Sequence, residues 1–111
     1  MKLTALSQLP IESVSHNSAI AKQVMLRMGD IPHLTNFSQA RLQPGQVAAA
    51  HAHADMHEIF FVESGEGTIA IDGMPYALKR GVCVAVAPDE THEVANTGNR
   101  DLILTYFGLT V

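Results

Sequence analysis

The residues best able to support chemistry are concentrated in one short stretch of the chain. His51 and His53 are separated by a single residue, and His57 directly precedes Glu58. Residues two apart in a β-strand project to the same side, so His51 and His53 are predicted to point together. A chain reversal after Ala54 would then bring Glu58 back opposite the histidine pair. The stretch therefore predicts two imidazoles and one carboxylate facing a common point.

A further histidine, His92, begins a strand predicted much later in the chain. Three imidazoles and one carboxylate form a ligand set for a first-row transition metal, whereas calcium or magnesium would need more oxygen ligands. A His-x-His pair on its own is more often two solvent-facing strand residues. The prediction of a metal site therefore depends on Glu58 and His92 coming into register with that pair.

The other histidines are predicted to lie outside the site. His57 has the strand parity opposite to Glu58, so we expect it in the loop or on the outer face. His16 and His33 belong to no motif and are interpreted as polar surface residues. No Ser-His-Asp order and no phosphate-binding glycine loop occurs in the sequence.

The elements that must position these residues are short strands. The first 20 residues are weakly patterned and indicate an extended arm or an edge strand, and only 20–28 could begin as a helix. Asp72-Gly73 predicts a type I′ hairpin, because both residues tolerate positive φ. Short segments at regular spacing favour an all-β sandwich or a closed barrel. From Lys22 onward they are 22–28, 34–42, 58–64, 68–72, 75–79, 82–87, 92–98 and 102–111.

Size and composition limit the function classes. A chain of 111 residues fits one domain, and 7 basic against 11 acidic residues, with no basic run, disfavour nucleic-acid binding. The single cysteine, Cys83, excludes an internal disulfide and suits a reducing compartment. The polar interruptions of the first residues and the absence of a long apolar run predict a soluble, cytoplasmic protein without membrane contact.

Two spaced motifs resemble those of the cupin superfamily. The first cupin motif, G-x5-H-x-H-x4-E-x6-G, is met at every position by Gly45, His51, His53, Glu58 and Gly65. This resemblance implies an all-β fold, a double-stranded β-helix or jelly-roll barrel. Residues 21–111 would form the cupin barrel, and residues 1–20 would form an N-terminal arm or edge strand of the same domain.

The second motif, G-x5-P-x-G-x2-H-x3-N, is met by Gly81, His92 and Asn96. Ala87 replaces its proline and Asp89 its glycine. Asp89 tolerates left-handed backbone angles, so we expect the turn before His92 to be kept. Asn96 is expected to satisfy the backbone of a turn.

The resemblance implies that His51, His53, Glu58 and His92 bind one divalent transition-metal ion, which would be Fe, Mn, Ni, Zn or Cu. Four protein ligands leave two adjacent positions free on a six-coordinate ion. Iron(II) would support dioxygenase-like cleavage, and a Lewis-acid ion would support isomerase or lyase chemistry. The second route needs a protein base, for which Tyr76, Gln46 and Arg41 are weak candidates.

The substrate pocket is predicted to be roomy and partly apolar. Its wall would consist of Met56, Phe60, Val62, Cys83 and Ala85. Such a pocket suits a small chelating molecule and favours the dioxygenase-like enzyme. Two alternatives remain open: a non-catalytic cupin that binds or senses a small molecule or metal, and a cupin that only stabilises an assembly.

A second apolar face on the strands 58–62 and 82–87 bears on assembly. Ile59 and Phe61 share one face of the first strand, while the second strand is apolar on both faces. One small domain has one interior, so the extra face predicts a homodimer interface. Cover from the N-terminal arm is the alternative.

Overall fold

The backbone is built almost entirely from strands and tight turns. The computed structural model describes residues 1–111 and contains ten β-strands and one 3-10 helix. The helix is η1 (Leu6–Gln8). The strands are β1 (Glu12–Val14), β2 (Asn17–Arg27), β3 (Leu34–Leu42), β4 (Val47–His51), β5 (Met56–Ser64), β6 (Glu66–Ile71), β7 (Met74–Lys79), β8 (Cys83–Val86), β9 (His92–Ala95) and β10 (Leu102–Thr110).

The strands form two antiparallel sheets that pack face to face as a jelly-roll barrel. The larger sheet has the order β1-β2-β3-β10-β5-β8, and the smaller has the order β4-β9-β6-β7. Their inner faces bury one continuous apolar core that includes Ile20, Leu42, Val62, Ile69, Leu78, Leu102 and Leu104. The predicted all-β jelly-roll fold is confirmed. No helix in the chain has the length and apolar character needed to cross a membrane.

The hairpin between β6 and β7 has the geometry that its sequence predicts. Asp72 has φ 48° and Gly73 has φ 83°, so both adopt left-handed angles. Ile71 and Met74 are direct partners on either side of this two-residue turn. A type I′ turn needs positive φ at both central positions, which Asp-Gly supplies at low cost.

Residues 20–28, which the sequence left open to a helix, are strand from Ile20 to Arg27. They belong to β2, which pairs with β3 on one side and with the edge strand β1 on the other. Ile20 and Val24 are buried and Lys22 between them is partly buried, so all three face the barrel interior. The edge of β3 offers hydrogen-bond partners to the backbone of this segment. Because of this pairing the segment forms a strand, whatever its local helix propensity.

The residues of β5 that face the interior are the ones predicted. In β8, the residues that face the interior are not Cys83 and Ala85, which the predicted pocket wall required, but their neighbours. Phe60 is buried, and its cross-strand partner is Val84; Phe61 is exposed, and its partner is Cys83. Directly opposed residues share a face of the sheet. Val84 therefore faces the interior, and Cys83 and Ala85 are exposed on the outer face.

Candidate metal centre

The four predicted ligands are contributed by both sheets. His51 ends β4 and His92 begins β9, and these two residues are direct partners in the smaller sheet. His53 follows β4 in the connecting loop, and Glu58 projects from β5 of the larger sheet. The site therefore lies between the two sheets, where one end of the barrel opens.

The donor atoms of His51, His53, Glu58 and His92 all lie within 4.8 Å of one another. Glu58 Oε1 is 3.0 Å from His92 Nε2 and 3.6 Å from His53 Nε2. Donors bound to one ion at about 2.1 Å lie at most about 4.2 Å apart. Small side-chain rotations are enough to close the observed set around an ion, so these residues are positioned to bind a metal.

Backbone carbonyls orient two of the imidazoles. His51 Nδ1 donates to the carbonyl of Ala49 at 2.8 Å, and His92 Nδ1 donates to the carbonyl of Glu90 at 3.2 Å. A metal-binding histidine commonly donates its other ring nitrogen in this way, which fixes the tautomer. Both rings therefore direct Nε2 toward the centre.

The two motif loops are joined by a backbone hydrogen bond. Asp89 N–H donates to the carbonyl of His53 at 2.8 Å, and Asp89 has φ 68°. The left-handed turn expected at Asp89 is present, and it holds the loop before His92 against the loop that carries His53. Asn96 also acts as predicted, because its amide donates to the carbonyls of Leu42 and Arg100.

At the centre, burial and the interactions with Glu58 act in opposite directions on the pKa of His92. Glu58 is 8% exposed and His92 is 1% exposed. Burial by itself would lower the pKa of His92, but hydrogen bonds to Glu58 and to the Glu90 carbonyl outweigh it, and the pKa is raised. Burial lowers the pKa of His51, as does the neighbouring His92. The carboxylate thus attracts positive charge, as a metal site requires.

A cavity of about 190 Å³ opens beside the centre, and three of the four predicted ligands, His51, His53 and Glu58, line it. Met56 and Phe60 line it, as the sequence predicted, and Val62 is fully buried in the core beneath. Cys83 and Ala85 do not line it, so that part of the prediction is wrong. Both faces of β8 are apolar in sequence, which left its orientation undetermined.

Five further side chains with polar groups line the cavity and were not predicted to do so: Ser15, His16, Lys22, Asn36 and Tyr106. Lys22 shares strand parity with Ile20 and Val24. Had residues 20–28 been predicted as a strand, this parity would have placed Lys22 on the inner face. His16 lies in the turn between β1 and β2, and its ring stacks on His51 with centroids 3.6 Å apart. His16 is exposed, as expected of a surface residue, and its position against His51 at the cavity was not predicted.

Tyr106 and His16 have shifted pKa values. Burial raises the pKa of Tyr106 to about 12, against the effect of a hydrogen bond with Ser38. Tyr106 therefore remains a protonated hydroxyl. Burial also lowers the pKa of His16, as does the nearby His53.

The weak candidates for a general base lie away from the cavity. Tyr76 is exposed on β7, and Arg41 forms an ion pair with Asp101 at 2.9 Å. Gln46 donates to the carbonyl of Ala19. His57 is exposed, as its parity predicted. None of these four residues lines the cavity. Among the lining residues, Glu58 is the one carboxylate.

Comparison with known proteins agrees with this geometry. The Cupin domain family matches residues 38–108, which is more than half of the chain. The chain therefore belongs to the cupin family, and the resemblance found in the two motifs is confirmed.

Relatives within this family are similar in fold and, in part, in sequence. An oxalate-binding protein of Thermotoga maritima is 33% identical over 66 residues, which is 60% of this chain and 54% of that protein. The matches span about half the length of the curated relatives. The crystal structure of a predicted oxalate decarboxylase from Thermotoga maritima has a TM-score of 0.88 and 23% identity, covering 98% of this chain and 99% of that one. The cupin domain of Schizosaccharomyces pombe Cnp3 has a TM-score of 0.82 and 11% identity, covering 96% of this chain and 72% of that one.

Removing one predicted ligand should abolish tight metal binding, whereas removing its exposed neighbour should not. We expect His53→Ala to weaken Mn²⁺ binding at least ~10-fold, because three donors remain and the carboxylate loses one partner. His57→Ala, in the same stretch, should bind as the unaltered chain does. Isothermal titration calorimetry measures both, and equal losses in the two variants would contradict the assignment.

Proposed function

We propose that this chain binds one divalent transition-metal ion through His51, His53, Glu58 and His92, and that a small anionic chelator such as oxalate occupies the adjoining cavity. The observation that carries the proposal is the convergence of the four donor atoms within 4.8 Å of one another, with His51, His53 and Glu58 lining the adjoining cavity. A bound ion would supply Lewis acidity and two open coordination positions.

The charge of the site favours an anion. A divalent cation with neutral imidazoles and the Glu58 carboxylate has a formal charge of +2 − 1 = +1, because no other carboxylate lines the cavity. Lys22 adds a second positive charge at the same wall. Its ammonium group forms no ion pair within 4.0 Å, although Glu12 is its cross-strand partner, because Glu12 pairs with Arg27. The site with its ion (+1) and Lys22 (+1) together carry a formal charge of +2, which a dianion would balance.

The size of the cavity favours a small ligand. Its volume of about 190 Å³ is below the ~300–1,000 Å³ of most ligand pockets. Oxalate, a two-carbon dianion that chelates through two oxygens, satisfies both the charge and the volume. The name of the Thermotoga maritima relative, an oxalate-binding protein, supports the same ligand class.

Oxalate binding should depend on the metal and on Lys22. We expect calorimetric binding of oxalate to the Mn²⁺-loaded chain and none to the metal-free chain. Lys22→Gln should weaken oxalate binding roughly 5–10-fold through the loss of one partly exposed charge, while Mn²⁺ affinity stays unchanged and Lys22→Arg retains most of the binding.

Lys79→Gln is the matched control, since Lys79 lies on the far strand β7 and does not line this cavity. Equal oxalate affinity with and without metal would contradict the proposed function. An unchanged affinity in Lys22→Gln would contradict only the role of Lys22.

A second candidate function is the dioxygenase-like reaction, and the composition of the cavity favours it over isomerase chemistry. Ten of the 17 lining residues are hydrophobic, and the proposed bases Tyr76, Gln46 and Arg41 all lie outside. Oxidative cleavage of a metal-chelated substrate needs two adjacent open positions and no separate protein base, whereas enediol chemistry would need a base other than these three residues.

Oxygen uptake tests this second function. For a dioxygenase we expect the iron(II)-loaded chain to consume one O2 per molecule of a chelating enol or diketone substrate, and His53→Ala to consume none. An oxygen electrode with His57→Ala as control measures this. Oxalate binding without oxygen uptake across such a panel would exclude the oxidative reaction and leave the binding function.

We also propose that the outer face of the larger sheet is a homodimer interface. Phe37, Ile59 and Phe107 are successive cross-strand neighbours on this face, and the Phe37 and Phe107 rings meet edge to face at 6.1 Å. Phe61 on the same face is 40% exposed. The N-terminal arm leaves Phe61 exposed; its contact with this sheet is at Gln23 on β2, whose amide donates to the carbonyls of Leu6 and Leu9.

Sedimentation velocity tests the dimer. At micromolar concentration we expect the unaltered chain to sediment as a dimer and Phe61→Ser to shift toward monomer, because an apolar contact at the patch centre is lost. Tyr76→Ser, which alters an exposed aromatic residue on the smaller sheet, should remain dimeric. A monomeric unaltered chain would contradict the interface.

A further inference from the structure

His16 occupies a position at the cavity mouth that no motif assigns. It lies in the turn between β1 and β2, and its ring is nearly parallel to that of His51, with 18° between the planes. Its centroid is 6.2 Å from that of His53. An exposed imidazole outside the four-ligand set therefore lies against two of the predicted metal ligands at the cavity.

Hydrogen bonds hold this turn over the mouth. Asn17 Nδ2 donates to the carbonyl of Val47 on β4 at 2.9 Å, which ties the turn to the opposite sheet. The Asn17 carboxamide oxygen accepts from Ala19 N–H at 2.9 Å, and Ser13 Oγ donates to the carbonyl of Ser18 at 2.8 Å. The backbone on both sides of His16 is thus fixed, and the ring position follows from it.

The ring nitrogens of His16 have no hydrogen-bond partner in the protein. The other histidine outside the motif stretch, His33, meets the Thr110 hydroxyl at 3.3 Å, and His51 and His92 use backbone carbonyls. His16 makes its contact through the ring face alone. An exposed imidazole held at the cavity mouth, with no protein partner for its N–H, is placed to donate to a ligand.

We propose that His16 is the ligand-selecting residue of this site, whose N–H donates to an outer, uncoordinated oxygen of a small anionic chelator while its ring holds His51 in place. The inference rests on the proposed metal-dependent binding of such a chelator. Oxalate bound through two oxygens leaves two others directed away from the ion, toward the mouth. The His16 ring also closes the space above them, so larger chelators are disfavoured.

Ring stacking and hydrogen-bond donation can be separated by substitution. His16→Phe keeps an aromatic ring over His51 but has no N–H, whereas His16→Gln keeps a donor but no ring. The experiment measures Mn²⁺ affinity of each variant by calorimetry, and then oxalate affinity of each Mn²⁺-loaded variant. His57→Phe, the same change at an exposed histidine of β5, is the control.

We expect His16→Phe to bind Mn²⁺ as the unaltered chain does and oxalate at least ~5-fold more weakly. His16→Gln should recover part of the oxalate affinity, and His57→Phe should change neither constant. Unaltered oxalate affinity in His16→Phe would overturn the assignment of His16 and leave the proposed function intact. Failure of the unaltered, Mn²⁺-loaded chain to bind oxalate would overturn both.

Discussion

The contact between Glu58 and His92 is the constraint on which the structure depends. Glu58 is a carboxylate on the inner face of an apolar strand, where an unpaired charge would cost several kcal/mol. Its partner lies on the opposite sheet, 3.0 Å away. The pair therefore fixes how the two sheets face each other. A one-residue slip of β5 would turn Glu58 to solvent and bring Ile59 and Phe61 inside, so the register that builds the core also builds the site.

Those parts of the molecule that follow from local pattern could be predicted from the sequence. Strand parity alone grouped Glu58 with Phe60 and Val62 on one face of β5, and Ile59 with Phe61 on the other. The Asp72-Gly73 turn was predictable because so few residue pairs accept two left-handed angles. Strand parity paired His51 with His53, whereas the resemblance to the two cupin motifs supplied Glu58 and His92 as the other ligands.

Prediction failed where the deciding contact is distant in sequence. β8 carries valine on one face and small apolar residues on the other, so its own pattern could not say which face is inner. Its pairing with β5 decides this, by setting Val84 opposite Phe60. The helix considered at 20–28 gave way to pairing with β3 for a similar reason. The orientation of His16 depends on the tie between Asn17 and Val47, which are 30 residues apart.

The division between predicted and unpredicted residues has a functional consequence. All four metal ligands lie within residues 38–108, the part of the chain that matches the Cupin domain family. His16 and Lys22 lie before that part, on the hairpin of β1 and β2 that crosses the cavity mouth. The shared barrel therefore holds all four residues that are positioned to bind an ion, and barrels of one fold support many different chemistries. In the proposed function, charge and closure at the mouth come from this hairpin, so the residues that would select the ligand are separate in sequence from those positioned to bind the ion.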